Sequence, residues 1–259
     1  MKKELIHFVE WKKIPEEKVE SALAELRDWG VGNIVAHPVW FRDDGQERYV
    51  EKMVERLNRF GLKAPACHAL WSEGNDCIIA DPDVWSDMIR RQSLFLRELT
   101  ALEVSTYTIH LGWYMDKSAD WNFDRLRKTV DALLPVCEET RTVLALENSA
   151  EPFEVIVRMG EMVKQYRHEY LGMCFDSGHA NCYQKSVEKT LEAMRENIVT
   201  CHLHDNFGEH DDHNPPGAGN IDWPGLTRLL DGLPRLHHAE TEAGEWGRAV
   251  WETFRRHTA

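Results

Sequence analysis

The sequence is short of several features that would point to an easy reading. Its six cysteines, at 67, 77, 137, 174, 182 and 201, form no C-x-x-C pair and no regular spacing, which argues against a disulfide framework. Cys67, Cys174 and Cys201 lie in apolar strands and read as buried reduced thiols. There is no run of about 18 apolar residues, so no membrane span is expected. The opening Met1-Lys2-Lys3-Glu4-Leu5 leads directly into a strand and leaves no room for a signal peptide, so a cytoplasmic protein is expected. Positive charge is scarce: 31 Lys and Arg stand against 44 Asp and Glu, a net charge of -13. Such a field does not draw in polyphosphate or an anionic membrane, and it weighs against nucleic acid unless a local basic groove exists. No Pro/Ser-rich linker, composition shift or low-complexity tract divides the chain, so residues 1–259 are expected to form a single domain.

What is present is alternation. Short β-rich runs are followed by longer amphipathic runs, eight times over in 259 residues. The expected strands are Leu5 to Val9, Val31 to Ala36, Leu62 to Cys67, Val104 to Ile109, Thr142 to Leu146, Leu171 to Phe175, Ile198 to Leu203 and Arg235 to Ala239. The last is weakened by His237 and His238. Helices are expected over Pro15 to Trp29, Glu47 to Phe60, Asp81 to Ala101, Asp124 to Glu139, Glu154 to Tyr166, Ser186 to Glu196, Pro224 to Leu230 and Glu245 to Arg256. Gly30 and Gly61 stop the first two, and Asp81-Pro82 caps the third. Eight β-α units in this length predict an α/β fold, a (β/α)8 TIM barrel, with a doubly wound open sheet as the competitor.

The chain is organised around the stretch from Asn197 to Trp223, NIVTCHLHDNFGEHDDHNPPGAGNIDW. His202 and His204 are two apart at a strand end and share one face, while Cys201 points the other way. Asp211 and His213 follow in the loop, and Asp222 is the expected cap of the next helix. In a barrel the chemistry gathers where strands run out into the β-α loops. Six successive strands end on His68, His110, Glu147, Asp176 (with His179 three residues on), His202 and Glu240. Singly, each has an ordinary explanation: a rim histidine, an arginine partner, a helix cap. Together they gather carboxylates whose mutual repulsion a bound cation would relieve, and carboxylate with neutral imidazole is the donor mix that zinc and similar divalent ions favour.

The runs LALEN, CFDSGHAN, CHLHDN, DDHNPPGAGNIDW and the final AET resemble the xylose-isomerase-like barrel superfamily, over about His68 to Glu240. That group holds sugar and sugar-phosphate isomerases and epimerases, and the endonuclease IV type of abasic-site DNA repair enzymes. The resemblance implies a metal held by Glu147, Asp176, His202 and Glu240. In the repair branch further zinc ligands stand at the positions of His68, His110, His179, Asp211 and His213. The ligand set therefore implies zinc or manganese, one to three ions, without separating the branches.

The rim weighs on that choice. The loop after strand three, Ala69 to Asp76, is acidic, and the loop after strand two carries one arginine, Arg42, against Asp43 and Asp44. Phosphate contacts normally come from Lys, Arg or exposed amides. Trp40, Trp71 and Trp113 follow strands two, three and four; they would suit the C–H faces of a sugar, or pack on one another as a hydrophobic rim. Gly217-Ala218-Gly219 offers either a phosphate nest or a plain turn. The expectation is a metal-dependent isomerase or epimerase of a small sugar or sugar phosphate, with Glu147 and Glu240 exchanging the proton and His179 orienting a hydroxyl or holding a metal. Abasic-site phosphodiester hydrolysis and a non-catalytic metal- or sugar-binding barrel are the alternatives. Glu242 competes with Glu240 for the ligand position, and related barrels often associate into homo-oligomers.

Overall fold

A computed structural model describes residues 2–40, 49–71 and 74–258. Eight strands run parallel: β1 (Glu4–Ile6), β2 (Asn33–Ala36), β3 (Lys63–His68), β4 (Thr106–Ile109), β5 (Val143–Glu147), β6 (Leu171–Asp176), β7 (Ile198–Leu203) and β8 (His238–Thr241). From β2 to β8 each strand pairs with the next in sequence, and β1 pairs with β8. The ring closes between β1 and β2 through His7, whose N–H donates to Asn33 O at 2.9 Å while Val35 N–H donates to His7 O at 3.1 Å. The fold is the TIM barrel, and an open doubly wound sheet is ruled out by that closure.

The helices form where the apolar residues recur at helical spacing, and each lays that stripe on the barrel. They are α1 (Val19–Asp28), α2 (Tyr49–Phe60), α3 (Pro82–Leu99), α4 (Ala119–Thr140), α5 (Phe153–Tyr166), α6 (Ser177–Cys182), α7 (Val187–Met194), α8 (Trp223–Asp231) and α9 (Arg248–His257). Leu23 and Leu26 of α1, Met53 and Leu57 of α2, Leu96 and Leu99 of α3 and Leu126, Val130 and Leu133 of α4 are buried against the strands. The caps lie where the sequence puts them. The Asp81 carboxylate accepts from the N–H groups of Asp83 and Val84, and that of Asp222 from Gly225, each stabilising its helix by about 1 kcal/mol.

Inside the ring aliphatic and polar side chains share the space. Ile6, Val35 and Ala66 form one cluster, and Val143, Ala145, Cys174 and Val199 another. Across the axis Thr106 Oγ1 lies 2.9 Å from His238 Nε2. All six cysteines are buried and free. No helix among the described residues is long and apolar enough to cross a membrane. A cavity of about 600 Å³ opens at the end where the strands begin, beside Asn33 and Lys63; that face of a barrel ordinarily serves stability.

Gly172 on β6 shows how tightly neighbouring strands fit. A Cβ there would lie 2.5 Å from Val199 Cγ1 and 3.0 Å from Asn197 O. Gly172→Ala is therefore expected to destabilise the protein by about 1–3 kcal/mol through overpacking, read as a lower urea midpoint. An unchanged midpoint would contradict this account of the β6–β7 contact.

Candidate metal centre

Side chains two apart on a strand share a face, and the parallel ring turns one such face of every strand inward. On β7 this aims Thr200 and His202 at the axis, while Cys201 and Leu203 join the surrounding core. The same rule brings His68 from β3, Glu147 from β5 and Asp176 from β6 to one end, with His110 directly after β4. Asp176 also caps α6, accepting from His179 N–H at 2.6 Å, which fixes His179 over the mouth. His204, Asp211, His213 and Glu242 arrive from the segments that follow β7 and β8.

The contacts are close. Glu147 Oε2 lies 3.3 Å from His68 Nε2 and 3.2 Å from His110 Nε2. His202 Nδ1 lies 3.2 Å from Glu147 Oε1 and 3.1 Å from Glu242 Oε2. Asp211 Oδ2 lies 3.2 Å from His179 Nε2 and 3.1 Å from His213 Nε2. The donor atoms fall into neighbouring groups that could each hold an ion: His68, His110 and Glu147; Glu147, Asp176, His202 and Glu242; and His179, His204, Asp211 and His213. Glu147 is shared between the first two.

Two observations fit these residues to a cation. Glu147 Oε2, Glu242 Oε2 and Asp211 Oδ1 are buried with no hydrogen-bond partner among the described residues, and a buried carboxylate oxygen left so is costly. The histidines are also held in one ring orientation. The Nδ1–H of His68 donates to Ala69 O at 2.7 Å, that of His179 to Asn148 O at 2.9 Å and that of His213 to Glu242 O at 2.7 Å. In the neutral ring this leaves each Nε2 bare, facing a carboxylate oxygen. Such a pair of lone pairs repels unless a proton or a metal ion lies between, and a backbone carbonyl on the far nitrogen is the usual support of a metal-binding histidine.

Without a metal, protons take that place. Burial opposes charge on His213, but Asp211 and then Glu242 outweigh it and raise the ring to about 10. Burial likewise opposes charge on His179, where Asp176, Asp211 and Glu147 outweigh it, and His179 is raised well above the ordinary range. Glu147 is fully buried, which disfavours ionisation, yet His202 and His110 hold it well below the usual carboxylate range.

On strand eight the geometry favours Glu242 over Glu240 as the residue nearer the donor groups. Glu240 enters none of the metal-competent groups among the described residues, whereas Glu242 enters two. Glu240 is turned deeper: its Oε1 accepts from Thr200 Oγ1 at 2.7 Å, and its Oε2 lies 3.6 Å from His202 Nε2. It thus backs the far nitrogen of His202, whose Nδ1 faces the centre. His204, which the sequence placed on the right face but outside the ligand set, has its Nε2 3.0 and 3.1 Å from the Asp176 oxygens.

The tryptophans divide as well. Trp71 is exposed, edge-on to His68 with ring centroids 5.2 Å apart, so it borders the centre. Trp40 is 1% exposed and packs on Trp11, and Trp113 packs on Phe123. Trp40 thus lies in the packed rim and Trp113 is half-buried there, so Trp71 is the one of the three seen against a histidine of the donor groups. Gly217 is a plain turn: its N–H donates to Asp205 Oδ2 at 2.8 Å and its φ is +84°. Arg42, Asp43, Asp44, Ser72 and Glu73, which carried part of the rim-charge argument, lie outside the described residues.

Residues 23–243 match the family model described as xylose isomerase-like TIM barrel. The chain belongs to that family. The barrel is similar to a D-tagatose 3-epimerase-like protein, with a TM-score of 0.80, 16% identity and coverage of 98% of this chain and 95% of that one. It is also similar to the TTHB071 protein of Thermus thermophilus, soaked with zinc chloride, with a TM-score of 0.74, 21% identity and coverage of 98% and 97%. At these identities the likeness is one of fold. Among curated relatives, protein y4fM of Sinorhizobium fredii is 28% identical over 110 residues, 42% of this chain and 35% of that protein. Protein MJ1311 of Methanocaldococcus jannaschii is 29% identical over 135 residues, 47% of this chain and 45% of that protein. The matches thus span less than half the length of either relative.

Protonated histidines stand in for metal, so the stripped protein should depend on pH in a definite direction. A raised histidine stabilises fully below its unfolded value of 6.5 and loses that contribution as the pH climbs through its folded value, about 10 for His213. The depressed carboxylates Glu147 and Asp211 act oppositely, contributing above their unfolded values and losing the contribution on acidification. Chelator-stripped protein is expected to have its highest Tm at about pH 5–6.5 and a falling Tm toward pH 9, with excess zinc abolishing the fall. A stripped protein whose Tm rises steadily from pH 6 to 9 would contradict this.

Proposed function

We propose that the protein is a metal-dependent isomerase or epimerase of a small sugar or sugar phosphate. The observation that carries this reading is the convergence of Glu147 and Glu242, from opposite parts of the ring, on His202 Nδ1 at 3.2 and 3.1 Å. Two carboxylates facing one pocket are what a proton transfer between carbons, or between faces of one carbon, requires. The fold likeness to a D-tagatose 3-epimerase-like protein supports the same class.

The proposed division of labour is as follows. Glu147, Asp176, His202 and Glu242 would hold a divalent ion, zinc or manganese, which would supply Lewis-acid stabilisation of negative charge on the substrate oxygens. One of Glu147 and Glu242 removes the proton beside the substrate carbonyl, and the other returns a proton to the resulting enediolate. Glu240, at 3.6 Å from His202 Nε2, orients that imidazole rather than touching substrate. Trp71 offers an aromatic face beside the centre and keeps water from the reacting carbons. Of the two roles expected of His179, the reading adopts the metal-holding one, in the outer group with Asp211 and His213.

A second reading, hydrolysis of a phosphodiester at an abasic DNA site, is favoured by one observation. Three donor groups stand side by side, two of them sharing Glu147, so the chain offers ligands for up to three ions. A nicking assay on abasic duplex separates the two readings, since only hydrolysis yields a nicked strand with steep salt dependence.

In a sugar and sugar-phosphate screen with zinc or manganese, Glu147→Gln and Glu242→Gln are each expected to lower kcat on the substrate found by roughly 10²–10⁴-fold. Trp71→Phe should cost less than about tenfold, because stacking area is largely retained. Near-normal turnover by both glutamine variants would remove the proposed proton exchange.

A further inference from the structure

We propose that Glu10 and His37 together hold a hydroxyl at the far end of the substrate, so that the site takes an unphosphorylated sugar in preference to its phosphate ester. The inference rests on the isomerase reading and deepens it, choosing between the two substrate classes left open there.

Strands β1 and β2 bring no residue to the donor groups among the described residues. Val35 lies in the cluster inside the ring and Ala36 in the core around it, so the next residue, His37, comes back to the inner face. Ala36 pairs with Cys67, which sets His37 level with His68. Glu10, from the segment after β1, reaches the same place: its Oε1 lies 3.9 Å from His37 Nε2. An acid and an imidazole thus occupy the sector that the donor groups leave open.

The His37 ring is held in one state. Its Nδ1 accepts from Val39 N–H at 3.0 Å, so the ring proton is on Nε2. Burial, then Lys12 and His68, lowers its pKa to about 4, which keeps the ring neutral. His37 is 2% exposed, and its Nε2 has no hydrogen-bond partner among the described residues. A buried donor left so is costly, and Glu10 at 3.9 Å is beyond hydrogen-bond reach. One hydroxyl between them satisfies both, accepting from His37 Nε2–H and donating to a Glu10 oxygen. A phosphate dianion can only accept, so it meets one donor and one repelling carboxylate. The backbone offers it little. The N–H groups of Trp11, Lys13 and Trp40 donate to the carbonyls of Val9, Glu10 and His37, and that of Val39 to His37 Nδ1. Lys12 sits 4.6 Å over the Trp71 ring, where the ring face already engages it, and Glu10 offsets its charge.

The test follows exchange of the C–H beside the carbonyl in D₂O, with metal-loaded protein and a panel of D-ketohexoses, D-ketopentoses and their terminal phosphates. The expected result is exchange on a free sugar, with kcat/KM at least about tenfold above that of its phosphate. For wild type, the analogue lacking the terminal hydroxyl should lose about 10–100-fold in kcat/KM, because the pair is then left unmatched. In Glu10→Gln the KM of the free sugar should rise about tenfold with kcat nearly kept, and the preference over the phosphate should shrink about tenfold. Long-range ¹H–¹⁵N correlation of the histidine rings gives a readout apart from turnover: the His37 Nε2 proton should shift as the free sugar binds. Exchange confined to the phosphates, an unchanged sugar-to-phosphate ratio in Glu10→Gln, or a His37 Nε2 proton unmoved at saturating sugar would each overturn the inference and leave the isomerase reading standing. No exchange on any member of the panel would overturn that reading, and the inference with it.

Discussion

Everything at the mouth of this barrel depends on one electrostatic constraint. Glu147, Asp176, Asp211, Glu240 and Glu242 come together with six histidines in a largely buried space. Carboxylates at such distances repel strongly where water cannot screen them. The cluster can exist only if positive charge is interleaved with it, as protons on the imidazoles or as metal ions. Three bare Nε2 atoms aimed at carboxylates, and buried carboxylate oxygens without partners among the described residues, form a donor set that a metal ion would satisfy.

The barrel makes that arrangement reproducible. Parallel pairing in register sets Asp176 beside His202 and His202 beside Glu240, so each strand end presents its inward side chain at a fixed depth. The loop after β7 is fixed by a different device. Asp205 accepts from the N–H groups of Asn206, Gly217 and Ile221 and from the Trp223 indole, a carboxylate satisfied from four sides. It anchors the loop that carries Asp211 and His213. Rigid support of this kind is what a site needs if its ligands are to hold their positions before an ion arrives.

Most of this was legible in the sequence because period-two alternation on strands and 3.6-residue stripes on helices are strong local signals. Ile198–Leu203 was predicted residue for residue, and His68, His110, Glu147, Asp176, His179, His202, Asp211 and His213 all reach the mouth. The depth of a residue was less legible. Glu240 and Glu242 share a face, so alternation cannot rank them, and β8 runs from His238 to Thr241 rather than from Arg235, because tertiary pairing outweighed the weak pattern around His237 and His238. His204 carried the same period-two signal as His202 but falls just past the strand, where alternation stops being a guide. The Ser177–Cys182 helix was missed because DSGHAN is short and glycine-bearing, and it forms on the cap that Asp176 supplies. Trp40 looked like a rim aromatic because sequence position cannot show that Trp11 would cover it.

The central claim is that these donor groups bind divalent metal, and elemental analysis tests it most directly. Protein purified without chelator, then stripped and re-equilibrated with zinc, should carry metal at up to three ions per chain, one for each donor group, and at no fewer than one. Protein that arrives metal-free and takes up none on titration would contradict the account, because its buried carboxylates would then have to be balanced by protons alone.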